Sequence, residues 1–169
     1  MTSSHGYTCA CCDQVHDGLP PAVGFDAPAY WEPEMQGRKG CKLTTDTCVI
    51  DGEQFFIRGV LLIPVVDAEQ DFEWGVWVSQ SEANFRLRRK LRNRFQPHRV
   101  SPTFGWLSNE LPGYATPTLE LKTTLNPDPE PGLRPFVDVE PTDHPLSVEQ
   151  REGITVARVR ELVAPFQAD

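Results

Sequence analysis

Cys9 and Cys12 form a C-x-x-C pair in the segment Tyr7-Thr8-Cys9-Ala10-Cys11-Cys12-Asp13-Gln14-Val15-His16, and His16 follows four residues after Cys12. Two thiolates at that spacing fit one tight turn and grip one soft cation. A neutral imidazole just beyond supplies a third ligand. A closed tetrahedral zinc site needs a fourth, and Cys48, in a strand-like segment, is the leading candidate, with Cys41 and His144 as alternatives. Four protein ligands make a structural site, whereas three leave a position for an activated water. A redox dithiol needs a strand before the pair and a helix starting at it, and neither is predicted. Without a metal the same residues are reduced cysteines beside a loop. Structural zinc is the preferred reading, because the irregular segment that follows needs a staple.

Other residues point to other chemistry. Asp143-His144 has the composition of an acid–base element, and Arg58 and Arg134 can clamp a carboxylate or phosphate. Each also has a plain reading: Asp143 is a good turn residue before His144-Pro145, and Arg58 in a central strand completes an ion pair. No nucleophile with a matched base emerges from spacing. Trp74, Trp77 and Trp106 can line a pocket, but such aromatics more often fill a core or cover a sheet face. The predicted helix 84–99 carries Arg86, Arg88, Arg89, Lys90, Arg92, Arg94 and Arg99, and no acidic residue occurs from Ala83 to Asn109. Such a helix can bind an anion, a nucleic acid or an acidic partner. The rest of the chain holds nine basic residues against 24 acidic ones. Pairing of the arginines with these carboxylates is therefore the expected outcome, with Arg88 near the buried stripe.

The elements that must position these residues follow from patterning. The 169 residues suit one domain, divided into a metal-stapled loop segment, 1–43, and a body, 44–169. Residues 44–51 read as a short strand. Gln54–Val66 reads as a central strand, with Gly59 marking a bulge. Phe72, Trp74, Val76 and Val78 alternate in the next strand, with Trp77 on the opposite face, and Asp67–Gln70 closes a hairpin between the two. Ser79 and Glu82 make a capping box for the basic helix, whose buried stripe is Ala83, Leu87, Leu91 and Phe95. Strands are expected at 118–125 and 134–140. A second capping box at Ser147–Gln150 opens a short helix, and Thr155 caps a last one. Strands followed by helices indicate an α+β domain with a mostly antiparallel sheet packed by helices.

Composition narrows the function. A net charge of −8 argues against a general nucleic-acid binder. No run approaches the roughly 18 apolar residues of a membrane span. Met1–His16 lacks the basic and apolar regions of a secretory signal, so a cytoplasmic protein is expected. In a reducing compartment its five cysteines suit metal ligation or free thiols rather than disulfides.

The chain resembles the bacterial family known as domain of unknown function 2199, from Tyr7 to about Val163. The resemblance is carried by Cys9-x-x-Cys12 with His16, Gly18-Leu19-Pro20, Cys48-Val49-Ile50-Asp51, Phe56-Ile57-Arg58-Gly59 and Trp74–Ser79. Later pieces are Phe104–Ser108, Leu119-x-Leu121-Lys122, Arg134-Pro135, Thr142–Leu146 and Glu149-Gln150-Arg151-x-Gly153-Ile154. Asp13 stands where the family pattern has glycine after the second cysteine, and Cys11 and Cys41 fall outside the pattern. The resemblance supports a metal site that includes Cys48 and implies no reaction. The expected function is that of a small zinc-stapled protein that binds another protein, in an accessory or immunity-type role. The alternatives are a hydrolase using a metal or Asp143, His144 and Arg58 in an aromatic-walled cleft, and a nucleic-acid-associated protein using helix 84–99.

Overall fold

The computed structural model describes the backbone of residues 7–8 and 15–16, residue 19 and residues 22–167. Within these residues the first half of the chain supplies β1 (Tyr7–Thr8), β2 (Val15–His16), β3 (Val23–Gly24), β4 (Lys42–Leu43), β5 (Thr47–Ile50), β6 (Gln54–Ile63) and β7 (Phe72–Gln80). The second half supplies α1 (Glu82–Asn93), β8 (Thr103–Trp106), β9 (Lys122–Leu125), β10 (Val137–Val139), α2 (Pro145–Glu152) and α3 (Val156–Gln167). The fold is α+β, as its patterning predicts. The larger sheet, ordered β3-β7-β6-β5-β4, is mixed rather than antiparallel, because β3 pairs parallel with β7. A second sheet, β10-β9-β8, is antiparallel throughout.

The β6–β7 hairpin is the longest pairing, running from Phe55↔Gln80 to Ile63↔Phe72 in unbroken register. Gly59 sits opposite Val76 within that ladder, so it marks no bulge. Its role is close approach. A Cβ there would lie 2.6 Å from Val137 Cγ2 and 2.9 Å from the Pro135 carbonyl oxygen. Gly105 in β8 does the same at the opposite side, where a Cβ would overlap the Ser79 carbonyl oxygen and Val78 Cγ1. At these two places the sheets meet: Val60 bridges Phe136 in parallel, and Val78 bridges Leu107 in antiparallel. Strands β6, β7, β8, β9 and β10 therefore follow one another around a closed circuit. Leu61, Val76, Val78, Leu125 and Val137 are buried in the main core, which α2 and α3 help to close with Leu146, Val159 and Leu162.

The opposite face of the larger sheet carries a second, small core. Cys48, Ile50, Phe56 and Trp77 are buried there, and Tyr30, Trp31, Met35 and Leu43 pack against them. Residues 25–41 thus cover that face as a lid. Trp77 Nε1 donates to the Phe25 carbonyl at 2.9 Å, and Asn109 Nδ2 donates to the Ala27 carbonyl at 3.0 Å. This part of the irregular N-terminal segment is held by aromatic packing and side-chain hydrogen bonds.

Several local readings change for physical reasons. β7 runs on to Gln80, which places Ser79 in the strand, its hydroxyl accepting from Trp106 N–H. The α1 cap is Ser81, which accepts from Asn84 N–H at 3.2 Å. The buried face of α1 is Phe85 and Arg88, whereas Leu87 and Phe95 are exposed. The apolar i+4 row lost to a row containing a charged residue, because that charge finds oxygen partners inside. Likewise α2 is capped by His144, with Pro145 at its first position, and Ser147 lies inside the helix. The strand expected at 118–125 is confined to β9, since Thr118–Leu121 turns, with Glu120 at φ 68°.

Candidate functional site

Cys9 and Cys12, expected as zinc ligands, and the side chain of His16 lie outside the described residues. The backbone on either side is described: Tyr7 pairs with His16 and Thr8 with Val15 in an antiparallel ladder. Cys48 stands fully buried in the small core, where burial pushes its thiol up to about 12, the Cys41 charge acting the same way. Cys41 is half-buried, and its sulfur accepts from Asp51 N–H at 3.4 Å. Among the described residues no group of three His, Cys, Asp or Glu side chains gathers as a metal would require.

His144 is committed to the backbone at both ring nitrogens. Nδ1 accepts from Leu146 N–H at 3.0 Å, which fixes the proton on Nε2, placed 3.0 Å from the Pro117 carbonyl and 3.2 Å from that of Thr116. In this arrangement the imidazole ties the 116–117 loop to the start of α2. Arg58 belongs to a different neighbourhood, on the lid side of the larger sheet. Its guanidinium is 3.7 Å from the exposed Asp26 carboxylate and 6.0 Å from the Trp77 ring centroid. Burial holds it below its ordinary value, and the Arg134 charge adds to the effect. Arg134 Nε in turn donates to Asp46 at 2.7 Å. Asp143, His144 and Arg58 are therefore not drawn into one constellation.

The basic helix divides its charges. Arg86 pairs with Glu82 at 2.7 Å and Arg92 with Asp128 at 3.0 Å. Arg88 donates instead to neutral oxygens: the carbonyls of Leu125 and Asn126 and the Thr103 hydroxyl. Arg89, Lys90, Arg94 and Arg99 make no ion pair among the described residues. Pairing with internal carboxylates accounts for only part of the basic segment, and the helix expected over 84–99 ends at Asn93, so that Arg94 and Arg99 lie beyond α1.

The tryptophans separate as well. Trp74 and Trp77 are fully buried. Trp106 is 43% exposed and meets Phe104, 52% exposed, edge to face with ring centroids 5.0 Å apart. This pair on β8 is flanked by two open clefts of about 470 and 480 Å3. One contains Lys122, Asp138, Glu140 and Arg151. The other contains Tyr30, Glu53 and Glu120.

A family model described as an uncharacterized protein conserved in bacteria, DUF2199, matches residues 8–154. The chain belongs to the DUF2199 family. No curated protein and no solved structure matches it. The resemblance motifs of this DUF2199 chain fall on the parts that hold the strand circuit together. Phe56–Gly59 and Trp74–Ser79 lie in the central hairpin, Phe104–Ser108 in and just after the Gly105 junction, and Thr142–Leu146 at the α2 cap.

One cluster in this DUF2199 chain joins the motif residue Glu149 to Tyr114 and Arg158, which no motif contains. The Tyr114 hydroxyl donates to Glu149 Oε2 at 2.6 Å, Arg158 Nε donates to Glu149 Oε1 at 2.8 Å, and the Arg158 guanidinium lies over the Tyr114 ring at 5.2 Å. These residues are distant in sequence, and the only local signal is the Glu149 and Arg158 charges facing each other from successive helices. Burial, then the hydrogen bond to Glu149, holds the Tyr114 phenol well above its ordinary value of 10.0. A folded-state value raised above the unfolded one stabilises fully below pH 10. That contribution is lost as pH rises past it, by up to about 1.4 kcal/mol per pH unit. Tyr114→Phe is expected to flatten this alkaline decline in urea-unfolding free energy. An unchanged slope in the variant would refute the assignment.

Proposed function

We propose that this protein works by binding a protein partner through the Phe104–Trp106 pair, and that the partner surface is basic with apolar or guanidinium side chains. The observation that carries the reading is the edge-to-face pair, which leaves two large aromatic faces uncovered on a strand whose backbone is already paired. Aromatic side chains of this kind anchor protein interfaces, because they bury much area at low entropic cost. Charge complementarity selects the partner. Glu53, Glu120, Asp138 and Glu140 outnumber Lys122 and Arg151 in the clefts beside the pair, and the whole chain carries −8. Because Asp143, His144 and Arg58 do not converge, binding is favoured over hydrolysis.

The test is site-specific photo-crosslinking in cells with a benzophenone side chain at position 106. Position 133 serves as control, since Leu133 is at least as exposed as Trp106 but remote from the pair in sequence. A discrete adduct at 106, absent at 133 and abolished by Phe104→Ala, with a basic captured segment, supports the reading. Adducts equal at both positions, an acidic captured segment, or none at all, overturn it.

The N-terminal zinc is part of the same proposal, with Cys9, Cys12 and His16 as ligands. Support comes from the β1–β2 ladder, which brackets the cysteines and sets His16 opposite Tyr7. The environment of Cys48, walled in by Ile50, Phe56 and Trp77, suits a neutral thiol better than a thiolate ligand. About one zinc per purified chain, lost in Cys9→Ser/Cys12→Ser, is the expected elemental analysis. Metal-free wild-type protein would remove the staple.

A further inference from the structure

Arg88 presents an unusual account. It is 6% exposed, no carboxylate bonds to it, and its Nε–H is buried without a hydrogen-bond partner among the described residues. A guanidinium has five N–H donors, and a buried charge is normally paired. Here three neutral oxygens stand in, and burial lowers the value of the group to about 10, with Asp128 opposing.

The same side chain lines a cleft between the β4–β5 hairpin and α1. Lys42, Arg88, Arg89 and Arg92 bring four cations to it, Thr47 adds a hydroxyl, and Ile57 lies on the sheet side. Among the described residues no carboxylate lines it. The acids near its border are engaged: Asp128 by Arg92 at 3.0 Å and Asp46 by Arg134 at 2.7 Å. Thr44 Oγ1 accepts from Asp46 N–H and Thr47 N–H and lies 2.8 Å from Thr47 Oγ1. The cleft volume is about 140 Å3, below the roughly 300–1,000 Å3 of sites that enclose a drug-sized molecule.

We infer that this cleft is a binding site for a phosphate-sized tetrahedral oxyanion, held by Lys42, Arg88 and Arg89 beside the Arg92–Asp128 pair. Guanidinium groups match the oxygens of such an anion in shape and charge. An anion there supplies the counter-charge that Arg88 lacks. The ligand is free phosphate or the phosphate group of a small molecule. A nucleic acid fits less well, because Lys90, Arg94 and Arg99 lie outside the lining and the chain as a whole is acidic.

The experiment is titration of the full-length protein with inorganic phosphate and with glycerol phosphate, at constant ionic strength set with chloride. Binding is read by calorimetry and by phosphorus NMR line shape. Saturable binding of at least one of them is expected. The tighter one identifies whether the source is the free anion or an esterified group. Lys42→Gln/Arg89→Gln changes two exposed side chains, so the fold is retained, and affinity is expected to fall by about tenfold or more. Lys90→Gln, on the same helix but outside the cleft, is expected to bind like wild type. Three results would overturn the inference: no saturable binding of either compound, a double variant as tight as wild type, or an equal loss in Lys90→Gln. Salt-dependent binding of a DNA or RNA oligonucleotide that is weakened by Lys90→Gln and Arg94→Gln would assign the helix to nucleic acid instead.

Discussion

Gly105→Ala is expected to destabilise the protein by about 3 kcal/mol or more, the upper range for overpacking, although it adds one methyl group to a strand. The added carbon meets a backbone oxygen, that of Ser79, as well as Val78 Cγ1 and, at 3.0 Å, Gln80 Nε2. A side chain can rotate away, but a carbonyl in a paired strand cannot. Relief requires β8 to back off from β7. That strains the Val78↔Leu107 bridge, the Trp106 N–H bond to Ser79 and the Gln80 bond to the Phe104 carbonyl. The comparison that isolates this effect is Gly75→Ala in β7. There the nearest atom to a new Cβ is 3.4 Å away, an ordinary contact. The loss of chain entropy in the unfolded state then favours the alanine by about 0.5–1 kcal/mol. Urea unfolding of the two variants should move the midpoint in opposite directions. A Gly105→Ala midpoint within error of wild type would show that the junction is looser than described.

Trp77→Ala is the second large effect, at about 3–5 kcal/mol, a substantial part of the 5–15 kcal/mol that holds a typical domain. Trp77 is fully buried, anchors the small core of Cys48, Ile50 and Phe56, and donates to the Phe25 carbonyl. Its loss leaves a cavity under the 25–41 lid, an orphaned carbonyl and the Arg58 guanidinium without its ring. The lid should therefore loosen before the main core does. Limited trypsin cleavage near the exposed Arg38 and Lys39 should become rapid in Trp77→Ala while the rest of the chain stays resistant. Trp106→Ala, by contrast, is expected to stay within about 0.5 kcal/mol of wild type, as exposed positions do. Equal losses in the two variants would contradict the separation into a buried and an exposed tryptophan.

The legible parts of this fold were those where one pattern acted alone. The alternation of Phe72, Trp74, Val76 and Val78 marked both the strand and its inward face, and the odd placement of Trp77 already pointed to a second covered face. The helix stripe is not legible, because its i+4 apolar row competes with Phe85 and Arg88. A charge enters a buried row only when distant oxygens await it, here on Leu125 and Asn126. Ser79 and Ser147 each have an acidic or amide residue three positions on, yet neither caps a helix. The true caps, Ser81 and His144, were set by where the preceding chain stopped. Gly59 showed that something was special about its position but not what, since the neighbour that excludes a side chain, Val137, is far away in sequence. For the site, the density of arginines was visible in the chain, but the concavity that gathers Lys42 with Arg88, Arg89 and Arg92 depends on how a hairpin and a helix meet.

The closed circuit of β6 to β10 also has a consequence of parity. Consecutive neighbours alternate in direction at each step from β6 through β10, as the antiparallel pairings record. Five is an odd number. After four reversals the last strand points the same way as the first, so the ring cannot close without one parallel contact. That contact is Val60↔Phe136, a single bridge supported by the Val60 N–H bond to the Pro135 carbonyl. The mismatch cannot be removed by changing side chains, because it is fixed by strand count. Parallel pairing in this circuit, less favourable per residue than antiparallel, is thereby confined to one bridge. Gly59 is the accommodation made there, letting the two like-directed strands approach on the strength of packing where a ladder is missing.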